Sequence, residues 1–172
     1  MFVNKLQEGR PNDNYDYDEL QALSALVTSI EVEETSSSES QKEFLQHCTD
    51  NNLEKVRHCL SRGVDVNTVS EDGRWSGLTI AAEKNYTELL EILLSHPDIK
   101  INKTTKWYDG SFQQSQWTSL IFACDAGNSA IVSRLVQIPG LDINWQNRMG
   151  SSAVHKACSQ ERVEISHWSR YI

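Results

Sequence analysis

Four short segments of this chain carry the same pattern of apolar and small residues at a nearly fixed spacing. The segments begin at Phe44, Leu78, Leu120 and Val154, so the intervals between them are 34, 42 and 34 residues. A period in the low thirties that carries two helical patterns is typical of stacked repeat arrays. The sequence therefore predicts an all-α solenoid of stacked helix–turn–helix pairs, which exposes an extended concave surface rather than a deep cleft.

The positions between and before the helices follow the same register. The turn inside each of the first three repeats falls at Asn51, Asn85 and Gly127, which are residue types that enter the left-handed region at low cost. A hydroxyl residue stands where it can cap the first helix of repeats 2 to 4. These residues are Ser76, Thr118 and Ser152. Repeat 1 has Lys42 at this position, and we predict a cap at Ser40 instead.

With these motifs the chain from about residue 41 to 165 resembles the ankyrin repeat family. The family pattern is a glycine, a T-P-L-H motif, an alanine pair, a turn glycine, a leucine pair and a D-V-N exit. The matching segments are Ser76-Gly77-Leu78-Thr79, Thr118-Ser119-Leu120-Ile121 and Ser152-Ala153-Val154-His155. The proline of the motif is absent from all repeats. The resemblance implies repeats at about 41–74, 75–116, 117–150 and 151–172, with hairpin fingers between them.

The last repeat is expected to be incomplete. The register carries the core positions of the second helix onto Ser166, Ser169 and Arg170, which are polar. We therefore expect an incomplete array, which would make the chain a fragment, an alternative product or the N-terminal part of a larger multi-domain protein.

Acidic charge is concentrated before the repeats. Residues 1–40 hold nine acidic and two basic residues, a net charge of −7, which is most of the formal net charge of −8 of the whole chain. A short amphipathic helix is predicted at 16–30, and the tract that follows it is too poor in apolar residues to fold alone. We expect residues 1–40 to be a mostly disordered acidic arm and residues 41–172 to be the repeat domain. A nearly neutral repeat domain disfavours generic nucleic-acid binding.

The predicted location is the cytoplasm or the nucleus. No stretch approaches 18 consecutive apolar residues, and the N-terminus lacks the apolar core of a signal peptide, so no membrane insertion is expected.

The four cysteines are expected to be buried free thiols. Cys48, Cys124 and Cys158 share a column with Ala82, and Cys59 falls in another core column, where a free cysteine behaves as a small hydrophobe. Zinc held by histidines and cysteines of repeats 1 and 4 is excluded because these repeats are three apart along the array. No metal or cofactor is expected.

The interval of 42 residues inserts eight residues between repeats 2 and 3, inside 103–117. Asp109-Gly110 between flanking aromatic residues is a signal for a two-residue hairpin turn, so we predict a lengthened hairpin finger here. Insertions in repeat arrays often form the binding face. The alternative is that the aromatic residues of this finger fold back and cover the neighbouring repeat.

Aromatic residues also mark the column before the capping hydroxyl, and tryptophan and tyrosine are enriched at binding hot spots. Trp75 and Trp117 share that column, so they are expected to stand side by side on adjacent repeats, and either to bind a partner or to brace the fingers. The candidate partner-binding residues are Trp75, Lys106, Trp107, Tyr108, Phe112, Trp117 and Trp145.

No catalytic constellation is recognisable in the sequence. His155 and Cys158 are three residues apart on one helix, but no third group orients them as a nucleophile and base. The predicted function is a non-enzymatic, monomeric adaptor or scaffold that binds another protein through its fingers and concave face. Two alternatives remain open. The acidic arm either acts as a transcription-associated docking segment or folds back onto Lys100, Lys103 and Lys106 as an autoinhibitor.

Overall fold

The computed structural model describes residues 38–108 and 114–159, together with Gln21, Ala22 and Ser24, which are helical. The chain divides into two units, Met1–Ser38 and Glu39–Ile172. The predicted disorder of the arm and most of its predicted helix at 16–30 lie outside the described residues, as does the predicted defect of the last repeat. The side chains of residues 107, 108, 114 and 115 also lie outside them, although their backbone is described.

The helices of the repeat unit form two layers, as the spacing predicts. Their bounds are α1 (38–49), α2 (Leu53–Ser61), α3 (Gly77–Lys84), α4 (Thr87–Leu94), α5 (Ser119–Ala126), α6 (Ser129–Leu135) and α7 (Ala153–Ser159). Helix α5 packs between α3 and α7 in one layer, and α4 packs between α2 and α6 in the other. Apolar residues of both layers form one continuous core that runs from Phe44 in α1 to Ala157 in α7.

The tight turns between paired helices use the residues that the register predicts. Asn51, Asn85 and Gly127 have φ values of 53°, 60° and 77°. Asparagine and glycine tolerate this left-handed conformation better than other residues do. Each turn can therefore reverse the chain within a few residues and bring the second helix back against the first.

The predicted hydroxyl caps of repeats 2 to 4 are confirmed. Ser76 Oγ accepts from the N–H of Thr79, and Thr79 Oγ1 accepts from the N–H of Ser76 at 2.8 Å. Thr118 and Ser152 accept in the same way from the N–H three residues on. The cap predicted at Ser40 is wrong, because residues 38–40 are already helical and Ser40 lies inside α1.

Three of the four cysteines are buried, as predicted: Cys48, Cys59 and Cys124. The prediction is wrong for Cys158, which is exposed. Cys124 lies in α5, which packs against the second helix of its own repeat. The segment of repeat 4 that corresponds to this second helix lies outside the described residues.

The inserted segment forms a β-hairpin, as predicted, but with a longer turn. Strand β1 (Thr105–Tyr108) pairs antiparallel with β2 (Gln114–Trp117), so that Thr105 lies opposite Trp117. Five residues, 109–113, therefore connect the strands, and the predicted two-residue turn at Asp109-Gly110 is wrong. The register is fixed at the base of the hairpin, where Thr105 and Trp117 are both buried, because a shift by one residue would turn Trp117 to the other face.

Candidate protein-interaction surface

Three fingers project from the array at the junctions between repeats: finger 1 (69–76), finger 2 (105–117) and finger 3 (145–151). Finger 1 is a tight turn that is closed by a bridge between Val69 and Ser76. It is joined to finger 2 because the N–H of Lys106 donates to the carbonyl of Gly73 at 2.8 Å. The stem of Lys106 lies so close to Gly73 that an added Cβ would be 3.0 Å from Lys106 Cδ. Fingers 1 and 2 are thus held together at the surface.

Two tryptophans and one phenylalanine form an aromatic cluster under these fingers, which we call the aromatic wedge: Trp75, Phe122 and Trp117. The ring centroid of Phe122 is 5.6 Å from that of Trp75 and 5.0 Å from that of Trp117. The second pair has an edge-on geometry of 64°, which is favourable for aromatic rings. Phe122 and Trp117 are each only 2% exposed, whereas Trp75 is half-buried. Trp75 therefore stands on a packed aromatic base.

Two cations lie against the outer members of the wedge. The guanidinium of Arg74 is 6.0 Å from the ring centroid of Trp75, and Nζ of Lys156 is 4.6 Å from that of Trp117. Both distances lie in the range of cation–π attraction. Lys156 is also 3.7 Å from a carboxylate oxygen of Asp125. These contacts hold the Lys156 ammonium of α7 at the base of finger 2.

Finger 1 also has an internal electrostatic arrangement. The carboxylate of Asp72 accepts from the hydroxyl of Ser70 at 2.5 Å and from the N–H of Arg74 at 3.0 Å. The hydrogen bond from Ser70 has the largest effect, and together these bonds lower the pKa of the Asp72 carboxyl below its ordinary value, because they favour its charged form. Finger 1 thus presents an ionised carboxylate next to the Arg74 guanidinium.

The structure places the candidate residues at different depths. Lys106 is exposed, and Trp75 and Trp145 are half-buried against the core. The backbone of Trp107 and Tyr108 lies in β1, but their side chains are outside the described part of the chain. All of Phe112 is outside it. The burial of Trp117 favours the bracing role that the sequence left open.

Sequence reasoning missed Phe122, Arg74 and Lys156 as parts of this surface. In the repeat register Phe122 shares a column with Ile80 and Lys156. A column that changes from aliphatic to aromatic to cationic lies at the border of the core, where Ile80 and Phe122 are buried and Lys156 is half-buried. This change was the available signal.

The buried thiols offer no reactive group here. Desolvation raises the pKa of Cys48 and of Cys124 to about 12, because burial disfavours the thiolate. Nucleophilic attack and metal binding both need the thiolate. Within the described ranges, no group of three His, Cys, Asp or Glu side chains could hold a metal ion.

Stacked helix pairs with hairpin fingers at their junctions define a repeat solenoid. The family model described as "Ankyrin repeats (3 copies)" matches residues 44–143, so the chain belongs to the ankyrin repeat family. Ankyrin repeats are generally protein–protein interaction modules. No helix in the described part of the chain is long and apolar enough to cross a membrane.

A curated protein with a similar segment is "Acyl-CoA-binding domain-containing protein 6" from Xenopus tropicalis. The two sequences are 37% identical over 59 residues, which is 34% of this chain and 20% of the relative. The similarity thus spans about a fifth of the relative's length.

Proposed function

We propose that this protein is a non-enzymatic adaptor or scaffold that binds another protein through its fingers and its concave face. We assign the concave face to the layer that contains α3, α5 and α7. The proposed contact residues are those of fingers 1 and 2 and the start of finger 3: Trp75, Lys106, Trp107, Tyr108, Phe112 and Trp145.

The observation that carries this proposal is the packing of Trp75. Its ring is partly exposed, yet it rests on Phe122, which is itself buried. A tryptophan that is already ordered before binding loses little rotamer freedom when a partner covers it. Such aromatic anchors are the usual hot spots of protein interfaces.

The surroundings of Trp75 favour a protein as the partner. Half-buried Arg74 lies over the Trp75 ring and 3.9 Å from the ionised Asp72. The exposed Lys106 lies against Gly73, between these two residues in sequence, so both signs of charge are present near the ring. A nucleic-acid surface usually presents a basic patch or stripe of clustered lysine and arginine, whereas this surface has mixed charge. We therefore propose a protein partner, no nucleic acid and no membrane insertion, for a monomer that works in the cytoplasm or the nucleus.

The experiment is affinity capture from cell lysate with the immobilised full-length chain. Two variants test the fingers: Lys106→Ala, and the triple change Trp107→Ala, Tyr108→Ala and Phe112→Ala. Lys55→Ala is the matched control, because Lys55 is exposed on α2 in the other layer and the charge change is the same. Circular dichroism first establishes that all chains are equally helical.

The expected result is a set of proteins that the wild type and Lys55→Ala retain and both finger variants lose. Identical sets from all four chains would overturn the proposal for the fingers. The autoinhibitory and transcription-associated roles of the acidic arm stay predictions, because residues 1–37 lie outside the described ranges apart from three of them.

A further inference from the structure

The two strands of finger 2 have unequal outer edges. The edge of β1 is joined to finger 1 through the bond from the N–H of Lys106 to Gly73. In an antiparallel pair the N–H and C=O of one residue point to the same side. Lys106 therefore turns its backbone away from its partner Gln116, and Gln116 in turn directs its N–H and C=O away from β1.

The outer edge of β2 is open at Gln116. No residue in the described ranges hydrogen-bonds the N–H or C=O of Gln116 on this side. The alternation of a strand directs the backbone of Gln114 to the same side. We call this outer side of β2 the open edge.

Finger 3, which follows finger 2 along the array, uses four of its backbone N–H groups internally, those of Asn147, Met149, Gly150 and Ser151. The N–H of Asn147 donates to the carbonyl of Ser151 at 3.0 Å, and the N–H of Gly150 donates to the carbonyl of Asn147. The side-chain oxygen of Asn147 also accepts from the N–H groups of Met149 and Ser151. These donors are therefore not available to pair with β2.

Strand β2 is short, but its open edge lacks three other features that protect natural edge strands from pairing. These features are charged side chains, proline and a bulge. Strand β2 reads Gln-Ser-Gln-Trp and pairs with β1 without a bulge. Finger 1 contains a single bridge, whereas the insertion gives finger 2 two strands of four residues. The insertion thus creates an edge that can act as a template.

We propose that the open edge of β2 binds an extended, acidic segment of a partner protein by strand addition. This inference rests on the proposed function and names the chemistry of the partner. Outward backbone groups recur at every second residue, about 7 Å apart, a spacing that an extended backbone matches.

We infer that the partner segment is acidic because positive charge lies at the base of the open edge and beside it. Lys156 lies over Trp117, the last residue of β2, and Arg148 is exposed in finger 3. Asp125 offsets part of the Lys156 charge, so Lys156 and Arg148 together carry more positive charge than this one carboxylate cancels. Carboxylates of an added strand would be attracted to this positive charge.

Proline substitution tests the open edge without breaking the hairpin. Gln116→Pro removes an outward N–H that β1 does not use, and proline is tolerated on edge strands. Gln116→Ala is the matched control, because it shortens the side chain and keeps the N–H. Gln114→Pro removes the other outward N–H and serves as a second variant if Gln116→Pro reduces helicity.

The probe is a displayed library of random 12-residue peptides, selected on the full-length chain and then measured on each variant. The expected peptides are enriched in Asp and Glu. They bind the wild type and Gln116→Ala equally and lose at least tenfold in affinity on the proline variants. With a selected peptide bound, the amides of Gln114 and Gln116 should exchange at least tenfold more slowly.

Peptides that bind the proline variants as tightly as the wild type would overturn the inference, as would a selection that yields no binder. A dimer of the full-length chain that Gln116→Pro dissolves would make a second copy the occupant, and would also overturn it. The two proposals can also be told apart. If lysate proteins are lost from Lys106→Ala but still bind Gln116→Pro, the proposed function holds and strand addition does not.

Discussion

The side-chain oxygen of Asn67 accepts a hydrogen bond of 2.8 Å from the backbone N–H of Lys100 in the next repeat. The amide nitrogen of Asn67 donates to the carbonyl of Asp98 at 2.8 Å, so one side chain joins two backbone groups of its neighbour. Asn102 repeats the arrangement with the N–H of Asp142 and the carbonyl of Gly140. The exit asparagines thus connect successive repeats in the manner of a ladder.

Removal of the Asn67 amide should destabilise the array. Asn67 is 5% exposed and its two bonds are part-buried, so Asn67→Ala leaves two backbone groups without their partners where water replaces them poorly, at a cost of about 1–3 kcal/mol. Asn102 is exposed, and Asn102→Ala should cost less because water can replace the amide. Urea unfolding followed by circular dichroism measures both, and equal costs would contradict the ladder interpretation.

A methyl group at Gly77 should also destabilise, although alanine is the better helix former. A Cβ at this position would lie 3.3 Å from Cys48 Sγ and 3.3 Å from Leu93 Cδ1, which is overpacking in a dense core. Gly77→Ala is expected to cost about 1–3 kcal/mol. In a background of Cys48→Ala, which removes the sulfur, the cost should fall, and purely additive free energies would argue against this contact.

Replacement of Phe122 should destabilise the chain and change the environment of the two tryptophans in the aromatic wedge. Phe122→Leu removes two ring pairs worth about 0.5–1.5 kcal/mol each and should weaken the near-UV circular dichroism of the tryptophans. Phe44→Leu is the matched control, because Phe44 is equally buried and lies in α1. If both variants change the tryptophan signal alike, the ring contacts do not order Trp75 and Trp117.

The buried thiols predict a fall of stability in alkali. Cys48 and Cys124 have pKa values of about 12 in the folded chain, compared with an ordinary value of 9.0. Between these values the unfolded chain loses the thiol protons and the folded chain keeps them, so the free energy of unfolding decreases as pH rises. The slope reaches up to about 1.4 kcal/mol per pH unit for each thiol.

The control for alkaline unfolding is the double variant Cys48→Ala and Cys124→Ala. Alanine fits this column because Ala82 occupies it in repeat 2, fully buried. Lysine and tyrosine titrate in both proteins, so the difference between the two pH profiles isolates the thiols. Parallel profiles from pH 9 to 12 would refute the prediction.

The repeat register predicted the helix pairs, the left-handed turns and the capping hydroxyls because each of these depends on residues close in sequence. It placed Trp75 and Trp117 in one column, but it did not place Phe122 in contact with both rings. That contact depends on how two repeats stack, which local pattern does not specify. The turn of finger 2 was misjudged for a similar reason, since Asp109-Gly110 is a local signal and the strand register is set by the burial of Trp117.

The candidate site was less predictable than the fold. Lys106 is exposed and Trp75 is half-buried, whereas Trp117 is buried. These differences depend on tertiary packing, which the repeat register does not specify. Arg74 lies over the ring of the next residue in sequence, Trp75, which is a local contact. By contrast, only the assembled array brings Lys156 of repeat 4 against the ring of Trp117.

The aromatic wedge spans the joint between repeats 2 and 3, since Trp75 belongs to one and Phe122 and Trp117 to the other. Each repeat of such an array contacts only its neighbours, so the curvature of the array depends on how successive repeats pack against each other. The contact between the rings of Trp75 and Phe122 crosses this joint, so we expect it to resist bending there and to hold fingers 1 and 2 in one arrangement. A partner would then meet a surface whose shape is set in advance, and shape rather than adaptability would decide which proteins fit.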